Sequence, residues 1–337
     1  MSHTGLKESS NAVKLMDPFG RHIDYLRLSV TDKCNMRCFY CLPPGFKNFE
    51  VPEHWLTFDE VSRVVNAFTS LGVSRVRITG GEPLLRKDLP QLVAQLHNLP
   101  GLTDLSLSTN AALLEPYAIR LKQAGITRVN ISLDSLKPNR FKKITGGSLK
   151  HTLKGLMAAK NSNINPIKIN MLAMKGVNDD EFEDMVNFCI EHGFTLRFIE
   201  VMPMGSTGQG ASSQYLDLQE VKKTLAKKFT LIPGVMPGGG PARYVQVEGT
   251  DLKIGFITPI SQHFCETCNR VRLSVDGTLY LCLGNEHKFE LRPLLRKGIS
   301  DQGLQEAVHQ ALALKPERHH FKEQPEKVVR FMSMTGG

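Results

Sequence analysis

Residues 25–41 read YLRLSVTDKCNMRCFYC, and in this stretch a strand pattern leads directly into a loop with three cysteines. In Tyr25–Val30 apolar residues alternate with polar ones, which is typical of a strand whose two faces meet different surroundings. Cys34, Cys38 and Cys41 follow with the spacing CxxxCxxC. Such an arrangement is typical of parallel α/β sheets, in which the chemistry lies at the carboxyl ends of the strands.

The unit of strand, loop and helix repeats along the first 200 residues. The predicted strands are Tyr25–Val30, Arg75–Ile78, Asp104–Leu107, Arg128–Leu133, Ile167–Leu172 and Thr195–Val201. The predicted helices are Phe58–Ser70, Leu89–Leu96, Glu115–Ala124, Leu149–Asn161 and Asp179–His192. Six such units in about 175 residues are too few for a closed eight-stranded barrel of about 250 residues. The sequence therefore predicts an α/β fold with a partial (β/α)6 TIM-like barrel.

The strand–helix rhythm ends near residue 205. We expect residues 1–20 to be a flexible N-terminal tail, 21–204 the partial barrel, and 205–337 a C-terminal iron–sulfur and substrate-binding domain. The Gly- and Ser-rich stretch Gly205–Ser213 predicts a linker or mobile loop, and Pro233–Pro241 predicts a turn. The strands predicted beyond it are Tyr244–Val247, Lys253–Ile257, Arg270–Ser274 and Thr278–Leu281.

Composition limits the function. The chain has 337 residues and a net charge of +9, which fits nucleic acid, a membrane surface or an anionic small substrate. Its basic residues are scattered rather than gathered into a run, and together with the motifs below this favours a polyanionic substrate over nucleic acid. No apolar stretch approaches the roughly 18 residues of a membrane helix, and the N-terminus lacks the apolar core of a signal peptide. These features predict a cytoplasmic protein that binds neither membrane nor nucleic acid. Of seven cysteines, Cys189 falls in an apolar helical pattern and is interpreted as packing.

The first cysteine triad, Cys34, Cys38 and Cys41, favours a 4Fe-4S cluster with one iron open. Three thiolates supply three corners of the cubane and leave the fourth iron free for a cofactor. Zinc is the weaker alternative, because the closest histidines for a fourth ligand are His22 and His54.

The residues around this triad carry a family resemblance. CNMRCFYC at 34–41 resembles the signature of radical S-adenosylmethionine (SAM) enzymes, and TGGEP at 79–83 resembles the segment that holds the methionine end of SAM. The resemblance implies that SAM chelates the open iron and that one electron cleaves it to a 5'-deoxyadenosyl radical. This radical then abstracts a hydrogen from the substrate.

The second triad is Cys265, Cys268 and Cys282. Its spacing alone also fits a structural zinc site with His263 or His287 as the fourth ligand. Taken over nearly the full length from Tyr25, however, the chain resembles the GTP 3',8-cyclase family of molybdenum cofactor biosynthesis. The resemblance rests on YLRLSVTD at 25–32, LRFIEVM at 196–202, FCETCNRVR at 264–272 and the terminal TGG at 335–337. It implies a second open-site 4Fe-4S cluster, which binds the substrate.

The family implies a lyase that removes the 3' hydrogen of GTP and joins C3' to C8 of guanine. The product is (8S)-3',8-cyclo-7,8-dihydroguanosine 5'-triphosphate, which a cyclic pyranopterin monophosphate synthase rearranges downstream. The family also implies a homodimer and an electron donor such as flavodoxin or ferredoxin.

Site residues follow from the resemblance by motif. The predicted SAM contacts are Tyr40, Gly81, Ser132 and Met202. The predicted GTP contacts are Arg27, Arg77, Ser108, Lys168, Arg270, Val271 and Arg272, with Arg197 as a further candidate. Arginine forks suit a triphosphate, since they bind phosphate oxygens bidentately. Ser108 and Ala111 depart from the family's usual Thr and Gly, and neither change removes a proposed ligand.

The terminal Gly336 and Gly337 fit a frayed end on sequence alone, but the family implies that this tail reaches the active site and triggers the radical chemistry. Two other functions stay open on sequence grounds. One is a different radical SAM enzyme with an auxiliary cluster, such as a peptide-modifying one. The other is a non-enzymatic iron–sulfur or zinc protein that senses redox state or binds RNA.

Overall fold

A twelve-stranded sheet organises residues 15–336, which are the residues described by the computed structural model. Its strands are β1 (Tyr25–Ser29), β2 (Arg75–Thr79), β3 (Asp104–Thr109), β4 (Arg128–Ser132), β5 (Ile167–Leu172), β6 (Thr195–Ile199), β7 (Leu231–Gly234), β8 (Arg243–Val247), β9 (Lys253–Ile257), β10 (Arg270–Leu273), β11 (Thr278–Tyr280) and β12 (Lys288–Glu290). The order across the sheet is β12-β11-β10-β1-β2-β3-β4-β5-β6-β9-β8-β7. Strands β1 to β6 are parallel neighbours, so the prediction of an α/β partial (β/α)6 barrel is confirmed.

Eleven helices accompany this sheet in the described residues. They are α1 (Phe58–Ser70), α2 (Leu89–His97), α3 (Ala118–Ala124), α4 (Pro138–Thr145), α5 (Leu149–Asn161), α6 (Phe182–His192), α7 (Gly205–Gly210), α8 (Leu218–Ala226), α9 (Arg292–Arg296), α10 (Asp301–Leu312) and α11 (Met332–Thr335). Helix α1 begins at a capping box: the Thr57 hydroxyl accepts from the N–H of Glu60 at 3.1 Å, and the Glu60 carboxylate accepts from the N–H of Thr57 at 2.8 Å. Helices α3 and α6 end at Gly125 and Gly193, both in the left-handed region as expected of C-cap glycines. No helix among residues 15–336 is long and apolar enough to cross a membrane.

Alternation along the strands separates the core from the lumen. Leu26, Val76 and Leu105 face outward and are buried beneath the helices. The residues next to them in sequence face inward, and the parallel register sets Arg27 beside Arg77. Polar and cationic side chains therefore line the inside of the barrel.

The segment after residue 205 completes this same sheet. Strand β10 pairs in parallel with β1, and β9 pairs in parallel with β6, so C-terminal strands extend both edges of the barrel. Arg272 of β10 thereby lies directly beside Arg27 of β1. The C-terminal residues contribute a wall of the lumen.

The structure differs from the sequence prediction at two connecting segments. Gly205–Ser213, expected to be a linker, forms α7 and a following 3-10 turn. A Cβ at Gly208 would lie 2.5 Å from the carbonyl oxygen of Met202, so the glycine lets this helix pack against the end of β6. Within residues 15–20, expected to belong to a loose tail, Leu15 is fully buried and its N–H donates to the Leu71 carbonyl at 3.1 Å, while Met16 and Phe19 are exposed. The rest of the predicted tail, residues 1–14, lies outside the described residues.

Candidate active site

The two glycines after β2 let its loop pack against the cysteine loop after β1. The N–H groups of Gly81 and Glu82 donate to the carbonyls of Thr31 and Lys33, each at 2.8 Å. A Cβ at Gly80 would lie 2.3 Å from the Thr31 oxygen, and one at Gly81 would lie 2.3 Å from the Lys33 oxygen. Any side chain here would push the cysteine loop away, because real Cβ atoms do not approach backbone so closely.

Glu82 holds these loops together. Its carboxylate is fully buried and accepts from the Thr109 hydroxyl at 2.7 Å and from the Asn110 N–H at 2.8 Å. Burial raises the pKa of Glu82 to about 7. In this structure the carboxylate binds the loop after β3, while Gly81 lines the cavity beside the cysteines.

The first triad lies at the carboxyl end of β1, in the wall of one cavity. That cavity is also lined by the sequence-predicted residues Tyr40, Gly81, Ser108, Ser132 and Met202. Burial raises the pKa of Cys34 to about 11 and that of Cys41 to about 12, with the neighbouring thiols adding to the effect at Cys41. Metal coordination deprotonates such thiols outright, so these residues suit a metal cluster.

Tyr40 is fixed by a buried carboxylate that sequence reasoning missed. The Tyr40 hydroxyl donates to Asp134 at 2.6 Å, and Asp134 also accepts from the N–H of Leu172 at 2.9 Å. Burial raises the pKa of Asp134 to about 6. Asp134 follows β4, the position at which the sequence pattern places functional residues, so its location was the available signal.

The second triad lies at the opposite end of the lumen. Cys265 and Cys268 come just before Arg270, which pairs with Tyr25 at the start of β1. Cys282 follows the short antiparallel strand β11 and so returns to the same end. The first triad comes after the last residue of β1, and four strand steps at 3.3 Å place the two ends of β1 about 13 Å apart.

A second cavity lies at this end of the lumen, next to the first cavity. It is lined by the second triad together with Tyr25, Arg27, Arg77, Arg197, Arg270, Val271 and Arg272. Asn170, Ile199, Met202 and Met332 line both cavities. The two triads therefore face adjacent cavities that share these four lining residues.

Neither triad is arranged for a single metal ion. Among the described residues, no three His, Cys, Asp or Glu side chains lie close enough together to hold one. A four-iron cluster places each thiolate on a different iron, so its ligands stand further apart than those of one zinc ion.

The second cavity is strongly cationic. Arg27, Arg77, Arg197, Lys168 and Arg272 are all buried. Burial, together with Arg197 and Arg128, lowers the pKa of Lys168, which lies beside this cavity, to about 7. Burial and then Arg270 lower the pKa of Arg272 to about 9, while burial, Arg272 and Arg77 hold that of Arg27 well below its ordinary value.

Arg27 carries buried hydrogen-bond donors that no other described residue accepts. Its Nε and Nη2 are buried and have no hydrogen-bond partner among the described residues, and the same holds for the Tyr25 hydroxyl beside it. An unpaired buried polar group costs about 1–3 kcal/mol, so an anion in this cavity would be stabilised. Sequence reasoning missed Tyr25, although it lies two positions before Arg27 on the same strand face.

Two of the predicted GTP contacts lie elsewhere in the lumen. Ser108 lines the first cavity, and Lys168 is buried on β5 opposite Asn130, outside the lining of either cavity. Both sit on inward-facing positions of the sheet.

The C-terminal tail enters the lumen. The carbonyl oxygen of Gly336 accepts from Nη1 of Arg272 at 2.5 Å, and the N–H of Ser333 bonds to Cys41. A Cβ at Gly336 would lie 2.2 Å from the Thr79 side chain, so the position excludes any larger residue. The tail thus contacts Cys41 of the first triad and Arg272 of the second cavity, while Gly337 lies outside the described residues.

Comparison with known proteins agrees with this geometry. Residues 28–189 match the radical SAM superfamily, and residues 194–321 match the family Molybdenum Cofactor Synthesis C. The chain is 46% identical over 329 residues to the GTP 3',8-cyclase of Hydrogenovibrio crunogenus, covering 96% of this chain and 99% of that protein. It is 43% identical to the enzyme of that name from Petrotoga mobilis, with coverage of 96% and 100%.

Solved structures show the same fold at low identity. Streptococcus suis SuiB bound to S-adenosylmethionine superposes with a TM-score of 0.60 at 14% identity, covering 93% of this chain and 77% of that one. SuiB bound to its precursor peptide SuiA gives a TM-score of 0.61 at 15% identity, with coverage of 93% and 76%.

Proposed function

Because this chain belongs to the GTP 3',8-cyclase family of radical SAM enzymes, we propose that it converts GTP to (8S)-3',8-cyclo-7,8-dihydroguanosine 5'-triphosphate. The chain is a lyase of molybdenum cofactor biosynthesis. The observation that carries the proposed reaction is the pair of adjacent cavities in the lumen, with one cysteine triad lining each and unpaired cationic donors in the second.

The first triad would hold a 4Fe-4S cluster and SAM. Tyr40, Gly81, Ser132 and Met202 line the cavity beside it and would hold the SAM molecule. When bound and reduced, the cluster and SAM supply a 5'-deoxyadenosyl radical that takes the 3' hydrogen of GTP. The Asp134 hydrogen bond keeps the Tyr40 ring in the cavity wall, where it would pack against the cofactor.

The second triad would hold the other cluster, with GTP bound between the two. The triphosphate would bind Arg27, Arg77, Arg270 and Arg272, whose forks carry no carboxylate partner among the described ion pairs. Val271 would form part of the wall beside the nucleotide, Lys168 would approach the triphosphate, and Ser108 would approach the other side of the nucleotide. With the phosphates so fixed, the ribose faces the first cavity.

The tail would complete the site. The Gly336 carbonyl accepts from Arg272, so tail and triphosphate share one guanidinium. We infer that bound GTP affects the position of Gly336 and Gly337 through this arginine, and that this change triggers the radical chemistry.

The proposal is tested with [3'-²H]GTP. Anaerobically reconstituted, reduced enzyme with SAM should form 5'-deoxyadenosine that carries the deuterium. The cyclised nucleotide should gain one electron from the reductant and one proton in place of that deuterium, and so have the mass of unlabelled GTP. Cys38→Ser should form neither product. Absence of 5'-deoxyadenosine, or deuterium retained in the nucleotide, would overturn the proposed reaction.

The electron would enter from a small acidic protein such as flavodoxin or ferredoxin. A broad concave surface lies behind the first triad, with Asn35 in its floor and the exposed lysines Lys142, Lys150 and Lys154 around it. Asn35 directly follows Cys34, so a donor seated there would be close to a cluster ligand. Opposite charge would speed this encounter.

Stopped-flow reduction separates this docking from the chemistry. Reversing the three lysines to Glu should slow reduction by flavodoxin about tenfold or more at low salt and leave reduction by dithionite unchanged. The control reverses an exposed basic set on and after α8: Lys222, Lys223 and Lys227. Equal slowing by both triple variants would contradict the assigned surface.

Further partners are proposed from the family alone. We infer a cytoplasmic homodimer whose product passes to a cyclic pyranopterin monophosphate synthase. Light scattering of the reconstituted enzyme tests the dimer.

A further inference from the structure

Three buried cationic side chains each donate a hydrogen bond to a different cysteine of the second triad. The pairs are Arg21 with the carbonyl of Cys265 at 2.9 Å, Lys315 with the sulfur of Cys268 at 3.6 Å, and Arg330 with the carbonyl of Cys282 at 2.8 Å. Their exposed fractions are 8%, 3% and 4%. These three residues, here called the cationic frame, come from three segments far apart in sequence.

Arg21 links the N-terminal segment to the region around Lys315. It forms an ion pair with Asp17 at 2.5 Å and donates to the carbonyl of Pro316 at 2.7 Å. One guanidinium thus joins the loop of Cys265 to the residue that follows Lys315.

Arg330 fixes the loop of Cys282 in a similar way. It lies 4.6 Å from the ring centre of Tyr280, pairs with Glu286 at 2.8 Å, and donates to the carbonyl of Asn285 at 2.7 Å. Its contacts enclose Cys282 from both sides along the chain.

Lys315 is the member whose charge is left uncompensated. Its ammonium donates to the carbonyls of Leu281 at 2.6 Å and Arg270 at 3.2 Å, and it has no carboxylate within ion-pair distance among the described residues. A buried cation without an anionic partner is costly. A thiolate-ligated cluster at Cys268 would supply the missing negative charge.

The first triad is surrounded differently. The buried carboxylates Glu82 and Asp134 lie near it, and both raise the pKa of a neighbouring thiol. Its loop receives one guanidinium contact, from half-buried Arg37 to the Cys34 carbonyl at 2.6 Å. Among the described contacts, cationic side chains therefore bond to all three cysteines of the second triad but only to Cys34 of the first.

We propose that Arg21, Lys315 and Arg330 are positioning residues that hold the second iron–sulfur site in its binding geometry and raise the reduction potential of its cluster. This inference rests on the proposed second cluster. Hydrogen bonds to sulfur and nearby positive charge both stabilise the reduced, more negative cluster. The N–H···S contact of Lys315 supplies both effects.

The test uses a background in which Cys34, Cys38 and Cys41 are all Ser, so that only the second site can hold a cluster. In it, Lys315→Met is compared with Lys315→Arg, which keeps the charge, and with Lys297→Met, which removes an exposed lysine of the same C-terminal segment. The readouts are iron per chain, the rate of iron loss to a chelator, and the midpoint potential from an EPR-monitored redox titration.

Lys315→Met should lose iron about tenfold faster or more, in line with other residues that support metal ligands, and its midpoint potential should become more negative. The Lys315→Arg and Lys297→Met proteins should stay close to the background in both. Equal iron loss and equal midpoint potentials in the Met and Arg variants, or an unchanged midpoint potential in Lys315→Met, would overturn the proposed role of the cationic frame. A background protein that binds no iron would instead refute the second cluster itself.

Discussion

Binding of GTP should take up a proton at Lys168. Burial, together with Arg197 and Arg128, lowers the pKa of this lysine to about 7 in the free protein. A bound triphosphate favours the charged ammonium and should return the pKa toward its ordinary value near 10.4. At a pH between these two values the lysine is mostly neutral before GTP binds and charged afterwards, so binding takes up a proton.

The size of the effect follows from the pKa of about 7. The neutral fraction of Lys168, and hence the proton uptake, should be about 0.1 at pH 6, about 0.5 at pH 7 and about 0.9 at pH 8. The affinity for GTP should fall as pH rises, by about 50-fold between pH 7 and pH 9.

Isothermal titration calorimetry measures this uptake directly. Reconstituted enzyme with SAM is titrated with GTP at pH 8 in HEPES, Tris and TAPS, and the slope of the observed enthalpy against buffer ionisation enthalpy gives the number of protons. Lys168→Arg should bind GTP with an uptake near zero, because a guanidinium stays protonated. The reasoning would be refuted if the wild-type uptake at pH 8 were no larger than that of Lys168→Arg.

Three further changes test the site. Deleting residues 336–337 should abolish cyclisation while SAM binding, followed by EPR of the first cluster, is retained; unchanged turnover would refute the role of the tail. Gly81→Ala should displace the cysteine loop and lower the iron content per chain by about half. The control Gly210→Ala, which has open space at its Cβ, should keep its iron, so equal iron contents in the two variants would contradict this prediction. Cys265→Ser should leave SAM binding largely intact and weaken GTP binding measured by calorimetry; unchanged GTP affinity would argue against a substrate-binding second cluster.

Local pattern was enough to predict most of the barrel. Helices α1 and α5 and strands β5 and β9 begin and end at the predicted residues, because their apolar periodicity and flanking turn residues agree. Helix α4 (Pro138–Thr145) was missed, since its eight residues carry few apolar positions and its stability comes from packing against the cysteine loop, where Arg37 donates to the carbonyl of Thr145.

The candidate site was predictable only in part. Spacing and resemblance predicted both triads and the residues now found along the lumen. Asp134 and the cationic frame were not predicted, since their partners lie far away in sequence: Arg21 and Cys265 are 244 positions apart. A single sequence shows the spacing within a motif, whereas these contacts depend on which distant segments the fold brings together.

The parallel pairing of β10 with β1 explains why one chain can hold both triads in register. Arg272 lies beside Arg27 because the strands run in the same direction, and that direction places the second triad before β10 and the first triad after β1. The separation of the two triads is therefore set by the length of a strand that is hydrogen-bonded on both sides, and not by the closure of one domain onto another. A substrate bound at the second triad is then held at a nearly constant distance from the first triad, because buried central strands are among the last parts of a fold to open.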